Sequence, residues 1–160
     1  MDKQIRSKLS LLNPVHFLAL GFGSGLAGKM PGTFGTLAAL PLVVLLSHYA
    51  SLPVYLIVTV MVSVVGIWIC GKTAADMGVH DDSSIVWDEV AGMLITMIAV
   101  PLSWQTLLAG FVLFRFFDIL KPWPISYLDK HVHGGFGIMI DDVLAGVFAL
   151  GVLHIGLAVI

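Results

Sequence analysis

Charge and cysteine are what this sequence has least of. Only 11% of its 160 residues are charged, while 58% are hydrophobic and the mean hydropathy is +0.99. An ordinary soluble domain carries about 25% charged residues. A single domain of this length buries a good core, but not this much apolar surface, so a bilayer is the natural solvent for the remainder. One cysteine, Cys70, excludes an internal disulfide and a cysteine-rich metal site. A formal net charge of −2 provides no basic footprint for nucleic acid. Internal repeats and low-complexity linkers are also missing, which points to one membrane domain over 1–160 with a polar tail at 1–16. That tail is not a signal peptide, because Pro14 and His16 interrupt it before any long apolar core.

Glycine is plentiful, and two stretches match nucleotide motifs. Residues 66–73, GIWICGKT, fit the P-loop pattern G-x-x-x-x-G-K-T, and 23–28, GSGLAG, fit G-x-G-x-x-G. A P-loop needs a strand before its glycines and free backbone N–H groups around a phosphate. Here Ile67, Trp68, Ile69 and Cys70 end an apolar run that reads as helix. The second pattern has no acidic residue about 20 positions on and no βαβ alternation. No nucleotide is therefore expected. The segment 21–36, GFGSGLAGKMPGTFGT, is still too rich in glycine and hydroxyl residues for ordinary helix. It is either a flexible loop before a membrane helix or a preformed loop that aims N–H groups, Thr33 and Thr36 at an anion.

The apolar runs set the architecture, an all-α polytopic bundle. Residues 37–46 extend into a first span, 52–70 form a second and 143–160 another, each near the ~20 residues that a spanning helix needs. Residues 90–114 read as one tilted span or as two short helices hinged at Pro101–Gln105. Charge favours the hairpin. Lys3, Arg6, Lys8 and Lys29 precede the first span, SHYAS at 47–51 has no Lys or Arg, and Lys72 follows the second span. The positive-inside rule makes the segments bearing these cations cytoplasmic. A hairpin puts Arg115, Lys121 and Lys130 on the same side.

Carboxylates in so apolar a chain carry the chemistry. Asp81-Asp82 read as a solvated turn and Asp76 as a helix end. Asp88-Glu89 and Asp141-Asp142 instead precede apolar runs, and Asp118 lies within FRFFDILKPWP. Acids at bilayer depth are costly and usually functional. One reading is electrostatic: acids at helix N-termini gain up to about 1 kcal/mol. The other is a magnesium site, since Mg²⁺ takes oxygen ligands, often one or two carboxylates with waters and phosphate. Neighbouring helix positions point ~100° apart, so only one member of each pair faces such a site squarely. Arg115, Asp118 and Lys121 share a helix face, as a salt-bridge ladder or as a phosphate clamp. His131 and His133 lack a third ligand for zinc; His133, before Gly134-Gly135-Phe136-Gly137, is a candidate donor to phosphate. A cysteine phosphatase arginine, the D-x-D-x-[TV] nucleophile and the paired Arg and His motifs of the histidine-dependent lipid phosphatases are all absent.

Taken in order, GFGSGL with PGTFGTLAALP, GVHDDSSIVWDEVAGM, FRFFDILKPWPI and DKHVHGGFGIMIDDVLAG closely resemble the phosphatidylglycerophosphatase A family, from about Pro14 to the last span. Ala27-Gly28-Lys29-Met30 depart from the family's common pattern, which makes Lys29 a poor candidate for an essential group. The resemblance implies an all-helical, magnesium-dependent phosphatase of the bacterial inner membrane that converts phosphatidylglycerophosphate to phosphatidylglycerol. The mechanism inferred beside it is metal-assisted hydrolysis on the cytoplasmic side, with Asp88, Glu89, Asp141 and Asp142 as metal ligands and catalytic groups and with attack either by water or by Asp88, Asp141 or Asp142. Thr33, Thr36, Arg115, Asp118, Lys121 and His133 would bind substrate. A transporter or magnesium channel is the rival class; it requires polar positions through the membrane depth rather than gathered at helix ends.

Overall fold

The computed structural model describes residues 8–79 and 82–159. Lys3, Arg6 and Asp81 lie outside the described residues. Among those described there are seven α-helices and no strand: α1 (Pro14–Ala19), α2 (Pro31–Tyr49), α3 (Leu52–Met77), α4 (Trp87–Thr96), α5 (Trp104–Leu120), α6 (Ile125–His131) and α7 (Gly134–Val159). A short 3-10 turn, Ser24–Leu26, sits between α1 and α2. Helices α2, α3 and α7 are long and apolar enough to cross a membrane. Their outer faces show the composition expected against lipid: Ile57, Val60, Met61, Val64 and Trp68 on α3 are all exposed.

The stretch 90–114 is a hairpin. Pro101 cannot continue a helix, and Ser103 restarts one: its side chain accepts from the Thr106 N–H while Thr106 reaches back to the Ser103 N–H. The first arm, α4, has ten residues, so it is only about 15 Å long and cannot cross a bilayer. It survives at depth because protein wraps it. Every residue of α4 except Asp88 is buried, against α2, α3, α5 and α7. Glycine permits the closeness: a Cβ on Gly92 would lie 2.3 Å from the Phe114 ring, and one on Gly146 would lie 2.6 Å from the Gly92 carbonyl oxygen.

The motif at 66–73 lies wholly inside α3. Gly66 packs where a Cβ would meet the Met139 sulfur at 2.7 Å, and Gly71 lies against Gly135 of α7. Lys72 pairs with Asp76 one turn on. These glycines bring α3 and α7 together; none forms a phosphate-binding loop.

The connectivity gathers polarity at one end. The starts of α2, α4 and α7 and the ends of α3 and α5 meet there, so the charged side chains of the described residues lie at or near this end. No Lys, Arg, Asp or Glu occurs in the connections 50–51 and 97–103 or in 155–159 at the other end. Exposed aromatics mark both ends: Tyr49 and Trp104 at the uncharged one, Trp123 and Tyr127 at the charged one. That is the expected placement for side chains anchored at two membrane–water interfaces.

Candidate active site

Four helices and the approach to α2 enclose a cavity of about 380 Å³ at the charged end. Its walls include Met30, Gly32, Asp88, Glu89, Arg115, Asp118, Lys121, Asp141 and Asp142. Each element delivers its side chains for a local reason. Asp88 and Glu89 occupy the first turn of α4, where the unpaired N–H groups favour acids. Arg115 and Asp118 are one turn apart on α5 and pair at 2.5 Å. Arg115 also lies 3.6 Å from Glu89. Lys121 ends α5 in a left-handed conformation, φ 43°. This turn carries its amine away from Asp118 to Asp141 at 2.6 Å and to Asp129 of α6 at 2.5 Å. The expected face of Arg115, Asp118 and Lys121 is therefore split between two ion-pair groups.

Asp141 and Asp142 are not at a helix start. Helix α7 begins at Gly134, about two turns earlier, so the N-terminal dipole reading does not apply to them. Their ~100° separation divides their work. Asp142 faces Asp88 and Glu89, and these three offer oxygens that all lie within 4.8 Å of one another. Asp141 turns one oxygen to Lys121.

The site is short of partners. Asp88 Oδ1, Glu89 Oε2, Asp141 Oδ1 and Asp142 Oδ2 are buried and accept no hydrogen bond among the described residues, and Arg115 Nε donates none. A buried polar atom without a partner costs about 1–3 kcal/mol, more when charged. Four such oxygens in one cavity are a donor set that a hard divalent cation would satisfy. The electrostatics agree. Burial pushes the Asp88 carboxyl well above the usual range, with Glu89 beside it adding to the effect. Burial likewise pushes Glu89 up to about 8, aided by Asp142. Burial alone would lower the Lys121 amine, but Asp129 and Asp141 outweigh it and raise it.

The N-terminus of α2 closes one wall. A Cβ on Gly32 would lie 2.3 Å from Glu89 Oε1 and 3.0 Å from an Arg115 nitrogen. Only glycine lets the backbone approach these two charges so closely. Thr33 and Thr36 are on the same helix but do not line the cavity. Thr36 is buried and donates back to the Gly32 carbonyl at 2.9 Å. His133 is exposed and also does not line the cavity. His131 stacks on Tyr127 and bonds its carbonyl at 2.7 Å. Asp129 is the partner that sequence reasoning missed. It lies in a polar stretch, and only the turn at Lys121 brings it near.

Two acids stand apart. Asp76 accepts from Lys72 and lies 3.1 Å from His16 Nε2, tying α1 to α3. Asp82 accepts from the Ser84 N–H and hydroxyl at 2.9 and 2.6 Å, a closed turn.

Comparison with known proteins shows the family. No solved structure matches the chain. Among curated proteins it is 56% identical over 144 residues to phosphatidylglycerophosphatase A of Haemophilus influenzae, covering 89% of this chain and 88% of that one. It is 51% identical over 150 residues to phosphatidylglycerophosphatase A of Escherichia coli K12, covering 93% and 87%. A protein of Bacteroides thetaiotaomicron, provisionally named a phosphatidylinositol-3-phosphatase, is 38% identical over 139 residues, covering 82% and 86%. The family profile described as Phosphatidylglycerophosphatase A matches residues 17–157, which takes in every residue of the cavity, and the chain belongs to this phosphatase family.

Proposed function

We propose that this protein is a magnesium-dependent lipid phosphatase that hydrolyses the terminal phosphate of phosphatidylglycerophosphate to give phosphatidylglycerol, in phospholipid synthesis. The supporting observation is the set of four partnerless carboxylate oxygens on Asp88, Glu89, Asp141 and Asp142, set beside Arg115 at the charged end of a membrane bundle. Asp88, Glu89 and Asp142 would hold the ion, with Asp141 at its edge. Mg²⁺ bound there supplies charge neutralisation and an oriented, acidified water.

The chain's own groups do the rest. Arg115 sits between Glu89 and Asp118, so its fork is held in place before substrate arrives. Its free Nε and its partly shared amines suit the oxygens of a phosphomonoester, whose charge they stabilise as the bond breaks. Lys121, fixed by Asp129 and Asp141, adds a second positive charge on the same cavity. A carboxylate of the cluster takes the proton of the attacking water. The leaving glycerol oxygen regains a proton, and inorganic phosphate remains. The acyl chains stay in the bilayer, and the headgroup reaches the cavity at the interface. Charge gathered at one end suits an interfacial enzyme. A transporter or channel requires polar groups through the whole depth of the membrane.

The positive-inside rule orients this end toward the cytoplasm of a bacterial inner membrane. In a Cys70→Ser background, Ser126→Cys is expected to resist an impermeant thiol reagent in intact cells and to react after permeabilisation. Labelling in intact cells would reverse the orientation. The activity itself is tested with purified protein and short-chain phosphatidylglycerophosphate. Release of phosphate with phosphatidylglycerol as co-product is expected; no release with any divalent cation would overturn the proposal.

A further inference from the structure

Beside the carboxylate cavity lies a smaller one of about 120 Å³, walled by Gly25, Leu26, Ala27, Gly28, Ser83 and Ser84, with Pro31. Pro31 and Ser83 line both spaces, so the two adjoin. Both walls are fixed. The Gly25 N–H donates to Leu20 and the Ala27 N–H to Ser24, each at 3.0 Å. A Cβ on Gly25 would fall 2.0 Å from the Ser84 carbonyl oxygen, so the glycine loop lies directly on the 83–84 segment. That segment is held in turn by the Asp82 side chain and by the Val86 N–H bond to Ala19 at 2.9 Å. The chemistry of this pocket differs from that of its neighbour. Backbone, two serines and the small apolar surfaces of Leu26, Ala27 and Pro31 line it, and among the described residues no charged side chain does.

A space without cations does not suit a second phosphate, and one walled by peptide groups and hydroxyls does not suit an acyl chain. Neutral hydrogen-bonding walls suit a neutral hydroxyl group. Resting on the phosphatase reading above, we infer that this side pocket is the subsite for the hydroxyl-bearing carbon linker next to the scissile phosphate, with Ser83 as its specificity-determining residue. Ser83 is exposed and stands on the rim common to both spaces. With phosphate among Arg115 and the carboxylates, the adjoining carbons would extend toward the rim that Ser83 and Pro31 share with the 25–28 backbone. The glycine-rich segment then reads the linker, and the carboxylate cavity handles the phosphate.

The test uses the purified full-length protein and two short-chain substrates. One is phosphatidylglycerophosphate; the other is its analogue with a propane-1,3-diyl linker, which lacks the free hydroxyl. The wild type is expected to favour the hydroxylated substrate by about fivefold in kcat/KM, the worth of one neutral hydrogen bond. Ser83→Ala should bring that ratio toward one by losing rate on the hydroxylated substrate, and Ser83→Thr should restore it. An unchanged melting temperature for Ser83→Ala would show that the fold is intact. Equal rates on both substrates by the wild type, or equal losses on both in Ser83→Ala, would overturn the inference while leaving the phosphatase reading standing. No phosphate release from either substrate would overturn both.

Discussion

Two groups of acids sit at the same end of the same bundle and are built in opposite ways. Asp76 is closed on its neighbours: Lys72 and His16 donate to its two oxygens, and the Ser10 N–H on His16 Nδ1 at 3.2 Å leaves the Nε2 proton for Asp76. Asp88, Glu89 and Asp142 crowd their oxygens together, each with at least one that nothing satisfies. The first binds α1 to α3, with both of its oxygens already engaged. The second carries a burial cost that protonation, a bound cation or substrate would relieve. On the proposed reading, acids that hold the fold differ from acids kept for chemistry in how fully their oxygens are engaged, more than in depth or sequence context.

The comparison can be broken by substitution. The largest effect is expected for Asp88→Asn and Asp142→Asn. Each keeps the shape, removes a hard ligand and abolishes proton acceptance, which alone is worth about 10²–10⁴-fold. At least one should lose phosphatase turnover by two or more orders of magnitude, about the lower bound of that range, with no loss of melting temperature, because a crowded buried charge has been removed. Near-normal turnover in both would mean that the cluster is not the active site. Arg115→Ala should follow, at about 10²–10³-fold in kcat, the typical cost of one aligned donor to developing charge. Arg115→Lys should not recover the rate, because an ammonium cannot serve Glu89, Asp118 and phosphate from one plane.

Gly32→Ala probes the same site through the backbone. Its methyl would displace Glu89 and Arg115, and misplacement near 1 Å costs up to about 10²-fold. A steady-state rate within a few-fold of wild type would show that these side chains yield freely. Asp76→Asn should reverse the pattern, with melting temperature lowered and turnover kept within a few-fold. A large loss of turnover without loss of stability would assign Asp76 to catalysis and dissolve the contrast. The smallest effect is expected for Lys72→Ala, which should leave turnover nearly intact; saturable ATP binding removed by that change would restore the P-loop reading.

Much of this was legible in the chain. The hairpin is expected from charge placement with a hinge at Pro101–Gln105, and the fold has it, with Pro101 as the break and Ser103 as the cap. The acidic pairs stood out because carboxylates are rare in apolar surroundings. What escaped depended on contacts between distant segments. The start of α7 was misplaced at 143, because the uncharged apolar run begins only after Asp141-Asp142. In the fold a Cβ on Gly135 would lie 1.8 Å from the Ile67 carbonyl oxygen, so the glycines serve a tight crossing with α3. Helix α3 passes through that crossing at Gly71 and runs on to Met77, where Gly78 in the left-handed conformation ends it. Thr36 was a candidate by composition, yet helix geometry turns its hydroxyl to its own backbone. Asp129 carried no signal, since its role depends on the left-handed turn at Lys121.

The central claim is that the partnerless carboxylates exist to hold a divalent cation that hydrolysis requires. Phosphate release from phosphatidylglycerophosphate by purified wild-type protein, followed as free Mg²⁺ is titrated from excess chelator upward, tests it most directly. The expected result is no release in chelator and a saturable rise with Mg²⁺. An equal rate in chelator and in Mg²⁺ would contradict the account.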